Sequence, residues 1–472
     1  YGAYKGVMQN KFRKADGTFD YGAVEELNAN NENGSIMVMT KAKNYHNWYG
    51  LVSTYNTKLT KDIDFYGGVD FRFYKGTHTN DIVDLYGGKY FIDSTRKSVK
   101  PANNANAANQ SWVYQKLGVG DAVYRDYDGH VVQEGAFFQA EYSKNGLSSF
   151  LSGSLSNTSY WRYDRLYYDK KNAESVTKNY LGFTVKGGAN YNFNEHHNAF
   201  FNVGYISRAP KFNYGAFLSF ASSNVTNPDA KNEKVVSFEL GYGYRLKWLQ
   251  VDVNAYWTKW LDKTMAKSST VGTAQVDAFV NMTGVNALHK GIEIEAKASP
   301  LYWLDVNAMF SIGDWKWDSN AKGYVFDYNG QPLTKDGSIA SGIGAEDHLS
   351  TGINLKGIHV GGAAQTTAAL GATIKIGKEI RIGADWTLYA RNYAYYSISG
   401  SNLSLGKTNT VADPWRVPTA SQFDLNASYK FKIAGLNATI SGNVNNLVDY
   451  QYLGKVWPPS SGTATKYNLY GF

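Results

Sequence analysis

The chain has 472 residues, no cysteine, a formal net charge of +8, and 15% Phe, Trp and Tyr. The absence of cysteine excludes disulfides and thiolate metal sites. No apolar run reaches about 18 residues, which excludes helical membrane spans. The net positive charge is modest, and the sequence has no cluster of basic and aromatic residues of the kind that binds single-stranded nucleic acid. The charge is therefore better explained by a basic surface, or by loops near anionic lipid, than by nucleic-acid binding.

Strand-like runs begin near Trp48 and come in pairs that short turns join. Seven hairpins are predicted, at about 47–76, 132–163, 180–208, 233–264, 288–316, 364–396 and 420–449. Long connections rich in Asn, Ser, Gly, Asp and Tyr separate them, at about 77–131, 164–179, 209–232, 265–287, 317–363, 397–419 and 450–464. Transmembrane β-barrels sort their connections in this way, with short turns on the periplasmic side and long loops outside. We therefore predict that all the short turns lie at one end.

Apolar and polar residues alternate within the strand-like runs. In 380–391, one face carries Ile380, Ile382, Trp386 and Leu388 and the other carries Arg381, Asp385 and Arg391. A period of two with one apolar face predicts a sheet with a dry side and a wet side. The runs are long enough for tilted membrane strands, and a sheet in lipid must close because its backbone edges cannot face hydrocarbon.

The polar face of such a barrel lines its lumen. We predict that Asp70, Arg72, Asp385 and Arg391 face the lumen. Ion pairing of Asp70 with Arg72, and of Asp385 with Arg391, is favoured over a substrate clamp.

Catalytic and metal-binding signals are weak. The only neighbouring histidines, His196 and His197, fall on a predicted short turn, where a solvated turn is favoured over a metal site. No Gly-x-Ser-x-Gly elbow with a placed His and Asp is present. We therefore predict no catalytic residue, no metal and no cofactor.

The two longest connections, 77–131 and 317–363, carry the candidate ligand-binding residues. These are Tyr86, Tyr90, Trp112 and Tyr114 in the first and Tyr324, Phe326 and Tyr328 in the second. Aromatic faces contribute a large apolar area with a polar tip, which suits sugars, peptides and flat chelates alike. Two interpretations stay open at this point: a ligand-binding surface or seat for a lipoprotein, and loops that pack only on each other.

An ordered set of motifs resembles the barrel of TonB-dependent outer-membrane receptors. The set contains Tyr205-Ile206-Ser207-Arg208-Ala209-Pro210, Asn227-Pro228-Asp229, Glu233-Lys234, Phe238-Glu239-Leu240-Gly241, Val253-Asn254-Ala255-Tyr256-Trp257, Gly291-Ile292-Glu293-Ile294-Glu295 and Asn443-Val444-Asn445-Asn446-Leu447-Val448-Asp449-Tyr450-Gln451-Tyr452-Leu453. Ala230 and Asn232 depart slightly from the family pattern. Two further segments resemble receptors of the Bacteroidota: Arg72-Phe73-Tyr74-Lys75-Gly76-Thr77-His78, and Asp128-Gly129-His130 with Gly135-Ala136-Phe137. The resemblance covers about 47–453.

The resemblance implies an all-β fold: a transmembrane antiparallel up-and-down β-barrel of about 22 strands in the full receptor, with about 14–15 in this chain. Residues 1–472 would be the C-terminal portion of that barrel domain, with the plug, the first strands and the last strand lying outside them.

The resemblance also implies a function. The receptor would bind a nutrient with its outer loops and pass it through the lumen, driven by the TonB–ExbB–ExbD complex acting on the plug. Its surroundings would be outer-membrane lipid. The alternative is a non-transporting barrel with a structural role or a role in assembling a surface lipoprotein, and an enzyme is the least supported class.

Overall fold

The computed structural model describes residues 12–218, 223–273, 276–327, 329–394, 403–457 and 468–471. The helices are α1 (Tyr21–Ala29) and α2 (Gln110–Val113), with 3₁₀ helices at Ser94–Ser98 and Ala105–Ala108. The strands are β1 (Met39–Thr60), β2 (Ile63–Asp84), β3 (Ala122–Lys144), β4 (Leu147–Asp164), β5 (Lys178–Asn192), β6 (His197–Arg208), β7 (Glu233–Arg245), β8 (Leu249–Val271), β9 (Val276–Leu301), β10 (Leu304–Trp317), β11 (Ala321–Asp327), β12 (Ser350–Asn354), β13 (Ala364–Ile376), β14 (Ile380–Asn392), β15 (Thr408–Thr410), β16 (Ala420–Ile433), β17 (Leu436–Val444), β18 (Leu453–Trp457) and β19 (Asn468–Gly471).

Within the described residues, seventeen of these strands form one sheet, and β18 pairs with β19 separately. Antiparallel neighbours follow chain order from β1 to β10, and the order continues through β13, β14, β16 and β17. The short strand β11 pairs with β9 and β12, and β12 runs parallel to β15. The all-β, up-and-down prediction and the seven hairpins are confirmed.

The predicted long loop at 265–287 is wrong. Strands β8 and β9 remain paired through this region, from Met265 opposite Met282 to Val271 opposite Val276. The register shifts between Trp260 and Lys263 and again before Met265. Such bulges add residues to one strand and interrupt the two-residue period, which is why the sequence pattern stops early.

The short turns lie together at one end of the sheet, as predicted. Backbone hydrogen bonds join each turn region to the next around this end. They run from Ser143 N to Asp62 O (2.9 Å), Asn192 N to Gly146 O (2.9 Å), Arg245 N to His196 O (2.8 Å), Ser299 N to Trp248 O (2.7 Å), Lys375 N to Trp303 O (2.7 Å) and Lys430 N to Glu379 O (3.0 Å). These bonds fix the stagger of neighbouring hairpins, because each turn is held against the next strand pair.

One face of the sheet is an exposed apolar belt. Leu370 lies opposite Trp386, which lies opposite Phe423. Members of the belt with largely exposed side chains include Val69, Phe71, Leu155, Phe183, Phe238, Leu240, Ile292, Ile312, Leu370, Ile382, Phe423 and Ile440. Soluble proteins rarely expose so continuous an apolar surface to water, so this face is suited to lipid. Among the described residues, no helix has the length and apolar character of a membrane span.

The buried hydrophobic clusters lie mainly among the long connections, at the other end from the short turns. The largest joins β9, β11 and β12 and includes Val280, Met282, Val325, Leu333 and Ile353. Smaller clusters centre on Leu117, Tyr167 and Phe217. We call this region the outer tier. Because its apolar residues are buried within it, the outer tier is a folded layer and not a set of independent loops.

Candidate functional site

The predicted aromatic residues of the first long connection occupy two places in the outer tier. The Tyr86 ring lies 5.8 Å from that of Tyr21 on α1, and the Tyr90 hydroxyl donates a hydrogen bond of 2.7 Å to Glu32 O. Arg96 Cζ lies 4.8 Å from the Trp112 ring, and Lys97 Nζ lies 4.9 Å from the Tyr114 ring. Of these four, Tyr114 has the most open side chain, with 47% of the residue exposed.

The predicted aromatic residues of the second long connection meet at a histidine. Tyr324 stacks on His348 with ring centroids 4.7 Å apart, and Phe326 meets the same ring edge-on at 5.1 Å. Phe326 is completely buried, so its ring is a core contact and is not accessible to a ligand in this structure. Its neighbours Val325 and Asp327 are buried as well, so both faces of β11 are covered at this point. Tyr328 lies outside the described residues.

Polar contacts join these two connections across a large sequence distance. Lys100 Nζ lies 3.1 Å from Asp327 Oδ2, and Asn103 Nδ2 donates a hydrogen bond of 3.1 Å to Asn329 Oδ1. Burial would raise the pKa of Asp327, but hydrogen bonds from Asn329, Gln331 and Lys100 outweigh burial and lower it. Asp327 therefore stays charged and anchors the contact between the two loops.

The connection after β6 folds onto the outer ends of β3 and β4. Phe217 is completely buried there, with its ring centroid 5.9 Å from Arg162 Cζ, and the Tyr127 ring lies 4.0 Å from the same atom. Asp164 Oδ2 is 3.8 Å from Arg162, and both side chains are fully buried. Burial raises the pKa of Asp164 to about 6 despite the nearby guanidinium. The Arg162 guanidinium and the Asp164 carboxyl group are thus both enclosed at the outer ends of β3 and β4.

A denser ionic network lies beside this buried pair. Asp128 accepts two hydrogen bonds from the Arg165 guanidinium, at 2.9 and 3.1 Å, and one of 2.7 Å from Thr77 Oγ1. Lys75 Nζ is 2.9 Å from the same carboxylate. Burial would raise the pKa of Asp128, but the hydrogen bonds from Arg165, Thr77 and Lys75 lower it well below its usual range. The network joins the outer ends of β2, β3 and β4.

Of the two ion pairs predicted on the polar face, one is present and the other is absent. Arg72 Nε lies 3.5 Å from Asp70 Oδ2, so this pair is present. Among the described ion pairs Asp385 and Arg391 are not joined, and that expectation is corrected. Six residues along a strand span about 20 Å, too far for a pair. Asp385 instead accepts a hydrogen bond of 3.0 Å from Asn426, and Arg391 donates one of 2.8 Å to Gly313 O.

Sequence reasoning missed an aromatic cluster on the polar face of β8, β9 and β10, which we call the polar-face cluster. It consists of Tyr256, Trp260, His289 and Trp315. The His289 and Trp315 rings stack at 5.3 Å, and Trp260 lies 6.5 Å from His289. The Nε1 atom of Trp315 donates a hydrogen bond of 2.8 Å to the Tyr256 hydroxyl.

Two glycines make room for this cluster. A Cβ atom at Gly291 would lie 2.6 Å from the Tyr256 hydroxyl, and one at Gly313 would lie 2.5 Å from Trp315 Nε1. Gly291 and Gly313 are opposite each other in the β9–β10 register. This pairing is the signal that sequence reasoning missed. Gly291 stands in a motif of its own strand, and the register that puts Gly313 beside it is not readable from either strand alone.

Cationic side chains border the polar-face cluster. Lys263 Nζ lies 5.0 Å from the Trp260 ring and Arg208 Cζ lies 5.6 Å from it. Arg208 Nη2 is 2.7 Å from the carboxylate of the buried Glu233. Arg208, Glu233 and Gly291 belong to three separate motifs of the sequence, and the fold brings them to one region.

No metal site is evident in the described part of the chain, where no group of three or more His, Asp or Glu side chains is placed to hold an ion. The neighbouring His196 and His197 make turn contacts instead. Their Nδ1 atoms lie 2.9 Å from Arg245 O and 2.5 Å from the Tyr242 hydroxyl, respectively.

A family model described as "TonB dependent receptor-like, beta-barrel" matches residues 4–447. The chain is similar in fold to the ferric citrate transporter FecA in its unliganded form (TM-score 0.57, 11% identity, covering 92% of this chain and 53% of that one). It is also similar to the copper transporter OprC (TM-score 0.55, 14% identity, covering 88% of this chain and 52% of that one). A third similar structure is the siderophore receptor PiuA from Acinetobacter baumannii (TM-score 0.54, 14% identity, covering 92% of this chain and 54% of that one). The chain thus spans about half the length of these structures. No curated protein sequence matches it significantly.

Proposed function

Because the chain belongs to the family of TonB-dependent receptor β-barrels, which are outer-membrane proteins, we propose that it forms the wall and outer loops of an active-transport receptor. The apolar belt contacts outer-membrane lipid and the polar face lines the lumen. The outer tier and the lumen beneath it take up a nutrient ligand. The TonB–ExbB–ExbD complex supplies the energy through the plug of the full-length receptor. The motifs around Arg72 and Asp128 support a receptor of the Bacteroidota type. The family match is to transporters and not to enzymes.

The observation that carries this proposal is the folded outer tier above a sheet with one apolar and one polar face. A barrel needed only for structure requires the apolar belt, but it does not require long loops that form their own hydrophobic clusters. The Lys100–Asp327 contact further ties the two longest loops together. A layer of this kind can hold a ligand at the outer end of the polar face.

The test is energised uptake by the full-length receptor. A strain with this receptor as its sole route is supplied with ferric chelates, cobalamin, peptides or glycans, each in turn as the limiting nutrient. We expect growth on at least one of them, and we expect growth to be lost when TonB is deleted. A matched control variant, Lys378→Ala on a short turn at the opposite end, should grow normally. Growth on none of the nutrients, with the receptor inserted and folded, would favour the non-transporting barrel that assembles with a surface lipoprotein.

A further inference from the structure

The polar-face cluster offers flat aromatic surfaces on the side of the sheet away from the apolar belt. The His289 and Trp315 ring planes are within 24° of parallel, and Trp260 is inclined by 54° to His289. All three rings are partly exposed. The Nε2 atom of His289 is buried and makes no hydrogen bond. The cluster therefore has both a stacking surface and an unused polar atom.

The position of Trp315 is fixed before any ligand binds. Its backbone N–H donates a hydrogen bond of 2.9 Å to Gln365 Oε1, and Gln365 Nε2 donates one of 3.1 Å back to its carbonyl oxygen. Gln365 is almost completely buried. Together with the bond to Tyr256, these contacts hold both the backbone and the indole ring. A preset surface binds with a smaller loss of conformational entropy.

The cluster has an excess of positive charge. Among the described ion pairs, Arg208 is matched by Glu233, whereas Lys263 takes part in none. Lys263 interacts favourably with Glu233, and unfavourably with Lys211 on the connection after β6 and with Arg208. The carboxylate that acts on Lys263 is thus already paired with Arg208. An anionic group placed beside Lys263 would relieve this repulsion and gain a charge-assisted contact.

We propose that the polar-face cluster binds a planar, anionic part of the transported ligand, with the Trp315 indole stacking on its flat face and Lys263 and Arg208 contacting its negative group. This inference rests on the proposed transport function. A neutral sugar could stack on the rings but would leave Lys263 unmatched. A planar cation would be repelled by Lys263 and Arg208. A planar anion satisfies both features of the cluster.

Binding of pyranine, a water-soluble planar trisulfonate, tests the proposal directly. Equilibrium dialysis against the full-length receptor, purified in detergent without TonB, gives its Kd. Lys263→Gln should weaken pyranine binding about tenfold, the loss expected for one charge-assisted contact. Trp315→Leu should weaken it by a similar factor. The planar cation proflavine and a neutral maltooligosaccharide should compete poorly.

Strand β8 itself supplies matched controls, since Trp257 and Lys259 lie on the face opposite Trp260. Trp257→Leu and Lys259→Gln should leave the Kd for pyranine unchanged. Circular dichroism and trypsin resistance check that each variant is folded. If Trp315→Leu fails to fold, Lys263→Gln still decides the matter, because it removes only a charge. Equal affinity in wild type and Lys263→Gln, or stronger competition by the sugar than by a second planar anion, overturns the inference.

Because pyranine binding needs no energy source, the two proposals fail in different ways. Loss of TonB-dependent growth with pyranine binding intact would contradict the transport function alone. TonB-dependent growth without pyranine binding would contradict only the inference about the planar anion.

Discussion

Lys100 Nζ lies 3.1 Å from Asp327 Oδ2 and joins two loops whose contacting residues are 227 positions apart in the chain. The two residues contribute unequally to the contact. Lys100 is about half exposed, whereas Asp327 is largely buried and also accepts hydrogen bonds of 2.8 Å from the backbone N–H groups of Asn329 and Gln331. The aspartate is therefore the structural centre of the contact, and the lysine connects it to the other loop.

This inequality predicts different effects of two substitutions. Lys100→Met should cost at most about 1 kcal/mol, because exposed ion pairs contribute little. Asp327→Ala should cost about 1–3 kcal/mol, because it leaves the partly buried N–H groups of Asn329 and Gln331 without their acceptor. Limited proteolysis of the folded receptor should show faster cleavage in both long loops for Asp327→Ala and a smaller change for Lys100→Met. Equal cleavage of the two variants would contradict the assigned roles.

The second prediction concerns the glycines beneath the polar-face cluster. A Cβ atom at Gly291 would lie 2.5 Å from Ile312 O, a backbone atom that cannot move away freely. Gly291→Ala should therefore destabilise the barrel by about 1–3 kcal/mol, as overpacking does. The control is Gly442→Ala on β17, where no atom lies within 4 Å of the added carbon. Urea unfolding followed by tryptophan fluorescence measures both, and a cost at Gly442 as large as that at Gly291 would argue against a steric origin.

The sequence predicts the hairpins well because each obeys a local rule. The two-residue period and the turn residues are both readable from a short window, and for this reason the sequence predicts the turns at Asp62, Gly146 and His196 at one end. The outer tier was not readable in this way. Its contacts, such as Lys100 with Asp327, depend on the path of the whole sheet. The long β8–β9 hairpin was missed because its bulges interrupt the period.

The candidate site shows the same limit. Aromatic residues in a loop suggest a ligand-binding surface, but the sequence of the loop does not show which ring points into the protein. Phe326 is an example, because it is completely buried. The expected ion pair between Asp385 and Arg391 does not form, because the two residues are too far apart along one strand. The polar-face cluster needs the register of β8, β9 and β10 before Tyr256, His289 and Trp315 can be seen to meet. Cross-strand register is set by tertiary pairing and not by local propensity.

The third prediction concerns the apolar belt. Ile382 lies on this face with 45% of its surface exposed, opposite Ile374 and Ala427 on the neighbouring strands. Ile382→Arg should destabilise the barrel in lipid by about 2–4 kcal/mol if the position is near the bilayer midplane. Asp385→Asn, three residues along on the polar face, should cost far less. Unfolding in lipid vesicles compares the two, and similar losses would sink the assignment of faces.

The last prediction concerns acid stability of the outer tier. Hydrogen bonds from Arg165, Thr77 and Lys75 lower the pKa of Asp128 although burial opposes this. Because the folded pKa lies below the unfolded value of about 4, the charged network stabilises the folded state above about pH 4. This stability is lost as pH falls below that value toward the folded pKa. Asp128→Asn should remove about 2–3 kcal/mol at pH 7 and should abolish this part of the acid dependence. Proteolysis of the outer tier between pH 7 and pH 3 measures both effects.

Tyr163, opposite Asp128 on β4 and outside the ion pairs, offers the control substitution Tyr163→Phe, which should retain the wild-type acid profile. An unchanged acid profile in Asp128→Asn would show that another carboxylate governs the transition.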